Sequence, residues 1–250
     1  MTQNKWPILA NSPIEVALFQ IKYEIGSGDL SDFLTCDAEI RKSLPIRKDD
    51  FSANINLEHT RIPLGESKIT GISNTKLSQY TYLSQDQKSK LALTSDTITY
   101  VEEHKYENWD SYLSTINDYL KILSPILTNR LVKRTSIRFI NRFKLDQVTN
   151  LIDYFKTTIS TQTDDTLPFS VSKYGFKLYA TIDENRYSVI NQSLDKPSNT
   201  YEYVFDIDVL DKSQVVFDLS TINELLSKLR ENKNTIFFGN LTEKGLELCN

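Results

Sequence analysis

Three arginines, Arg134, Arg138 and Arg142, recur within the run RTSIRFINRF. Read as a strand over 134–144, the run places Arg134, Ser136, Arg138, Ile140 and Arg142 on one face. Thr135, Ile137, Phe139, Asn141 and Phe143 take the other. Stacked guanidinium groups repel one another unless an anion or carboxylates lie opposite. Their planar fork suits two-point recognition of carboxylate or phosphate. Two expectations follow: an anion or nucleic-acid groove, or a salt-bridged sheet face, the second being favoured. Asn141 is an amide on an otherwise apolar side, expected as a satisfied core or edge residue or as a ligand contact. The ligand-binding candidates are therefore Arg134, Arg138, Arg142 and Asn141.

Asp206 and Asp208 lie in YVFDIDVLD. Phe205, Ile207 and Val209 take the buried side, so the two carboxylates point the same way. Such a pair can hold Mg²⁺ when a third acid and a phosphate loop assist. No Gly-Lys or Gly-Ser loop stands near, so the two acids are weak metal candidates only. The favoured expectation is that they answer Arg138 and Arg142 across the sheet. Glu15, inside the first strand, is expected to pair with an arginine of a neighbouring strand.

Other catalytic patterns are missing. His59 and His104 show no HExxH spacing, and Cys36 and Cys249 form no CxxC. Gly26-Ser27-Gly28 fails as a dinucleotide fingerprint, because residue 31 is Ser. No catalytic residue and no cofactor is expected.

The elements that must position these residues are legible in the periodicity. A strand is expected at 14–24 and a short helix at 29–42. Four or five antiparallel strands are expected between 51 and 101, where Thr, Ser and Tyr are abundant. Trp109, Tyr112, Leu113, Ile116, Leu120, Leu123, Leu127 and Leu131 recur at helical spacing and predict a helix over 109–131. Asn108 is its expected N-cap, and Pro125 should kink it. Beyond the arginine strand come a short helix at 148–157, a loop at 158–168, and strands at 171–182, 185–193 and 200–210, with a loop around Pro197. A helix over 219–231 follows, capped by Asp218, and Thr242 opens a last short helix. Strands in runs, each closed by a helix, predict an α+β fold with antiparallel sheets packed on two long helices. The halves 1–145 and 146–250 are expected either to share a sheet or to pack side by side, as one continuous domain or two. A duplication relating them stays open.

Composition removes several classes. The chain has 250 residues, 39% of them hydrophobic, which is enough to bury a core. With 29 Lys+Arg against 33 Asp+Glu, the net charge is -4. That argues against general duplex-DNA binding, while specific RNA or nucleotide binding stays open. Only 7 glycines are present, a poor supply for phosphate-cradling loops. There is no signal-peptide pattern and no membrane-length apolar run. The sparse cysteines suit a reducing cytoplasm.

Four segments, NSPIEVALFQIKY at 11–23, YENWDSYL at 106–113, RTSIRFINRF at 134–143 and IFFGNLTEKGLELC at 236–249, occur in this order. Together they resemble a sporadically distributed bacterial family of about this length. That family has a Pro-Ile-x-Glu-Val start, a Tyr-x-x-Trp helix, an Arg-Tyr-Ile-Asn-Arg-like strand and a Phe-x-x-x-Thr ending. Phe139 stands where the family usually has Tyr. The resemblance implies a cytoplasmic, patchily inherited bacterial protein, and by association an antitoxin-like or phage-defence accessory role. It brings no reaction with it. The function expected is a non-enzymatic binding or regulatory protein. It would use a sheet face, or a groove between sheet and helix, to hold a protein partner, a second copy or an anionic ligand. The alternative is a metal-dependent enzyme acting on nucleotides or nucleic acid through Asp206, Asp208 and the arginine face.

Overall fold

The computed structural model describes residues 6–7, 9–25, 30–61, 67–145, 150–158, 173–195 and 200–250. For 53–61 and 67–74 it describes the backbone alone. The Gly26-Ser27-Gly28 turn, the loop 159–168, the loop around Pro197 and the side chain of His59 lie outside the described residues.

In chain order the elements are β1 (Ile14–Tyr23), a 3-10 turn (Leu30–Cys36), α1 (Asp37–Ile40), β2 (Ile46–Arg61), β3 (Ser67–Leu83), β4 (Ser89–Leu93), β5 (Thr97–Glu103) and α2 (Trp109–Leu127). Then come β6 (Leu131–Leu145), a 3-10 turn (Leu151–Asp153), β7 (Tyr174–Thr181), β8 (Arg186–Asp195), β9 (Tyr201–Asp211), β10 (Val215–Val216), α3 (Leu219–Asn240) and α4 (Glu243–Glu247). The α+β expectation holds as one ten-stranded antiparallel sheet, in the order β2-β3-β4-β5-β1-β6-β9-β8-β7, with β10 on β6. The two longer helices pack on it. The plural sheets of the sequence reading are thus a single sheet.

β1 and β6 lie side by side at its centre, with Leu18 opposite Arg138. Each is followed in the chain by a short turn of helix and then by an outermost strand, β2 or β7. The later strands step back inward until β5 reaches β1 and β9 reaches β6. α2 and α3 then close the two sequences.

Alternation fixes the faces. Ala17, Phe19 and Ile21 of β1 are buried on the same side as Ile137, Phe139 and Phe143 of β6 and Phe205, Ile207 and Val209 of β9. α2 covers this side through Tyr112, stacked on Tyr100 at 5.7 Å. α3 covers it through Phe237, stacked near Phe205 at 6.2 Å. The opposite side of β1, β6 and β9 carries the arginines and aspartates.

Caps set the helix starts as expected. Asn108 accepts from the Ser111 N–H, Asp218 from that of Thr221, and Thr242 from that of Gly245. The helix ends differ from expectation. α2 stops at Leu127, just beyond Pro125, and the chain leaves through Asn129 at φ 65. A left-handed residue cannot continue a helix, so Leu131 begins β6 instead. The 29–42 segment is mostly 3-10, and only a 3-10 turn forms near 148–157 among the described residues. α3 is the larger correction: it runs nine residues past 231, to Asn240.

Candidate functional site

The extra length of α3 builds the site. Beyond residue 231, α3 turns Lys233, Asn234 and Phe237 toward the sheet. Lys233 falls one helical step after Leu225 and Leu229, in the stripe that packs on the core. There α3 meets the start of α2 and the segment before β1. Together they border a half-open cavity of about 300 Å³, at the lower end of the range for small-molecule sites. Its sheet-side wall includes Asn141. The α2 side supplies Tyr106, Glu107, Asn108, Trp109 and Asp110, and α3 supplies Arg230, Lys233, Asn234, Phe237 and Phe238.

The polar groups in the cavity are the unusual part. Lys233 is 8% exposed. Its Nζ sits 4.5 Å from the centre of the Phe139 ring and has no carboxylate or hydrogen-bond partner among the described residues. Burial, with a smaller push from Arg230, drives its ammonium down from 10.5 to about 7. Arg230 lies 5.3 Å from the Trp109 ring centre and likewise has no salt-bridge partner among the described residues. The amide of Asn141 donates to the carbonyl of Phe205 at 2.8 Å and to that of Phe139 at 3.3 Å. These two acceptors fix the amide's orientation, leaving its Oδ1 without a donor among the described residues. The Tyr106 hydroxyl, in the same cavity, is pushed up to about 12 by burial.

The segment before β1 closes the remaining side. Trp6 stacks on Phe238 at 5.2 Å, with the rings 8° from parallel. Asn11 is tied to the C-terminus: its N–H donates to the Cys249 carbonyl at 2.8 Å and its side chain to that of Asn250 at 3.0 Å.

The arginine face is separate, on the other side of the sheet. Arg138 grips Asp206 at two points, Nε to Oδ1 at 2.8 Å and Nη2 to Oδ2 at 2.7 Å. Asn191 donates to Asp206 Oδ2 at 2.8 Å. The expected pairing of Arg138 with an aspartate across the sheet is therefore present. Arg142 departs from expectation. It reaches no aspartate of β9, and donates instead to Glu15 and Glu202, each at 2.8 Å. Arg142 lies opposite Val204, two residues from both Glu202 and Asp206, and Asp206 is already held by Arg138. Glu15 thus has the arginine partner expected of it.

Arg134 donates to Gln20 Oε1, and its Nε is buried without a partner, as is Oδ1 of Asp208. Asp208 sits directly opposite Arg138, yet the guanidinium turns diagonally to Asp206. Burial raises the Asp208 carboxyl, against the pull of Arg138 and Arg134. Among the described residues, no three His, Cys, Asp or Glu side chains gather as metal ligands. His104 is exposed, 3.7 Å from Glu15. Cys36 donates to the Ile122 carbonyl at 3.2 Å. Cys249 is buried, which pushes its thiol up to about 11.

Of the four ligand candidates read from sequence, only Asn141 faces the cavity. Lys233, Arg230 and Trp109 were missed as site residues. One signal was present for Lys233: a lysine at a buried helical position, in register with Leu225, Leu229 and Phe237. Compared with known proteins, the chain matches no family model and no curated sequence significantly.

Proposed function

We propose that this is a non-enzymatic binding or regulatory protein that holds a small anionic ligand in the groove between the sheet and its two helices. One observation carries the reading: the Lys233 ammonium, buried with no carboxylate in ion-pair contact among the described residues. A desolvated, unpaired cation is costly, and an anion entering the cavity offsets part of that cost. Arg230 at the same cavity adds a second cation. The family resemblance supports a bacterial cytoplasmic setting and an antitoxin-like or defence-accessory role, in which occupancy of the groove would regulate contact with a protein partner or a second copy. The metal-dependent alternative has less support, since Asp206 is already committed to Arg138 and Asn191. The matching order of strand, turn, inward-stepping strands and helix further supports an origin of the two halves by duplication.

Isothermal titration with acetate, benzoate, inorganic phosphate and AMP at pH 6.5 tests the binding reading. At least one anion should bind, and Lys233→Met should weaken it tenfold or more. Absence of binding by all four at millimolar concentration, or binding indifferent to Lys233, would refute it.

A further inference from the structure

We infer that the ligand of this groove is an aromatic monocarboxylate bearing an N–H or O–H donor. The inference rests on the anion-binding reading above and narrows it by three observations on the cavity wall.

The first is charge balance. Lys233 and Arg230 bring two positive charges, while Glu107 and Asp110 line the same cavity with two negative ones. A polyphosphate would set several charges against these carboxylates. A single carboxylate adds the least negative charge an anion can bring, and it meets Lys233, the deeply buried cation, while both acids are exposed.

The second is the wall itself. Trp6, Tyr106, Trp109, Phe237 and Phe238 all border the cavity. Such a lining rewards a flat apolar body through area burial and ring–ring contact, which acetate or phosphate cannot use. The volume of about 300 Å³ admits one or two fused rings with a short acidic arm, and a nucleotide triphosphate would crowd it.

The third is an unanswered acceptor. Asn141 is 1% exposed, and both amide hydrogens of its Nδ2 are directed to backbone carbonyls. Its Oδ1 is the amide's acceptor atom, and a ligand N–H or hydroxyl can donate to it. An anion alone satisfies Lys233 and leaves Asn141 bare. A ring carrying both groups satisfies the two together.

The probe is indole-3-acetate, set against 1-methylindole-3-acetate, acetate, inorganic phosphate and AMP. Titration calorimetry reads occupancy for every probe, because the indole probes share the fluorophore of Trp109 and Trp6. Indole-3-acetate should bind at least tenfold tighter than acetate. Methylation of the indole nitrogen should cost roughly tenfold, the loss of one buried hydrogen bond. Lys233→Met should cost tenfold or more, and Asn141→Asp should repel the acid. If phosphate or AMP binds tighter than the indole acid, with the same dependence on Lys233, the aromatic class is wrong while the anion reading survives. If no anion binds, or Lys233→Met leaves affinity unchanged, both fall. Equal affinity for the methylated probe removes the donor from the inference.

Discussion

Replacing Lys233 by Met should make the folded protein more stable, and the gain should depend on pH. The side chain keeps its length and apolar stem and loses only the charge. In the unfolded chain the ammonium titrates near its ordinary 10.5, whereas in the fold burial holds it near 7. Below pH 7 both states are protonated, and keeping the charge inside costs about 5 kcal/mol at 1.36 kcal/mol per pKa unit. The Phe139 face returns about 1–2 kcal/mol of that by cation–π attraction. The net gain for Lys233→Met is about 3 kcal/mol at pH 6, and each kcal/mol is roughly 2–4 °C in Tm for a chain of this size. Because the folded value lies below the unfolded one, wild-type stability rises with pH between about 7 and 10.5 as the fold sheds a proton that the unfolded chain retains. The advantage of the variant therefore shrinks by about 2–3 kcal/mol from pH 6 to pH 9. Arg230, Glu107, Asp110 and Tyr106 share the cavity and are common to both proteins. Urea melts of both proteins at the two pH values decide it. A variant less stable at both, or a difference independent of pH, would mean that Lys233 is not a desolvated, uncompensated cation.

Other consequences are more local. Leu120, 1% exposed beneath α2, should cost about 2–5 kcal/mol as Leu120→Ala in urea melts; a loss under about 0.5 kcal/mol would mean α2 is not a core element. Arg138→Ala and Asp206→Ala should show a coupling of at least about 1 kcal/mol in a double-mutant cycle, and additive losses would separate them. Gly245→Ala should destabilise by about 1–3 kcal/mol, because a methyl there collides with the Tyr154 backbone carbonyl; an unchanged melt would displace α4 from that packing. Random duplex DNA should bind no tighter than roughly 10 µM at physiological salt, by fluorescence polarisation. Tight binding with a steep salt slope would return the arginine face to first place.

The strands were legible because their signals are local. Period-two alternation placed Arg138 and Asp206 on one face, and the caps depend on near neighbours. The strand order was not legible, because β1 pairs with β5 and β6, and β6 with β9, far apart in the chain. Arg142 was misassigned because its partners, Glu15 and Glu202, are set by the register of three strands, which alternation alone does not fix. The end of α3 was hidden for a different reason. In 232–240, Asn, Thr and Gly have low helix preference, and the apolar stripe is interrupted at Lys233 and Asn234. The periodic reading therefore stops where the buried face turns polar. Those residues are what line the cavity, so the site lay in the segment where the pattern failed. Partners brought together by tertiary packing, such as Arg230 over Trp109, leave no spacing to read.

The two polar regions of the fold differ in how their charges are answered. On the open face, Arg138 and Arg142 are met by Asp206, Glu15 and Glu202, all on neighbouring strands. Such a ladder fixes strand register and neutralises itself, leaving little attraction for an outside anion. In the helix-side cavity, Lys233 and Arg230 lack salt-bridge partners among the described residues, and burial alone already depresses the ammonium of Lys233. A fold stabilised by its core has no need of a lysine there, since Met or Leu would fill the same stripe of α3 without the desolvation penalty. The penalty persists in the free protein, and under the proposed function an entering anion would offset part of it by direct attraction, less its own desolvation. Arg134 Nε and Asp208 Oδ1 stay unpartnered on the open face, but Arg138 and Arg142 are answered there, and that contrast with Lys233 is why we propose the groove under α3 as the ligand site.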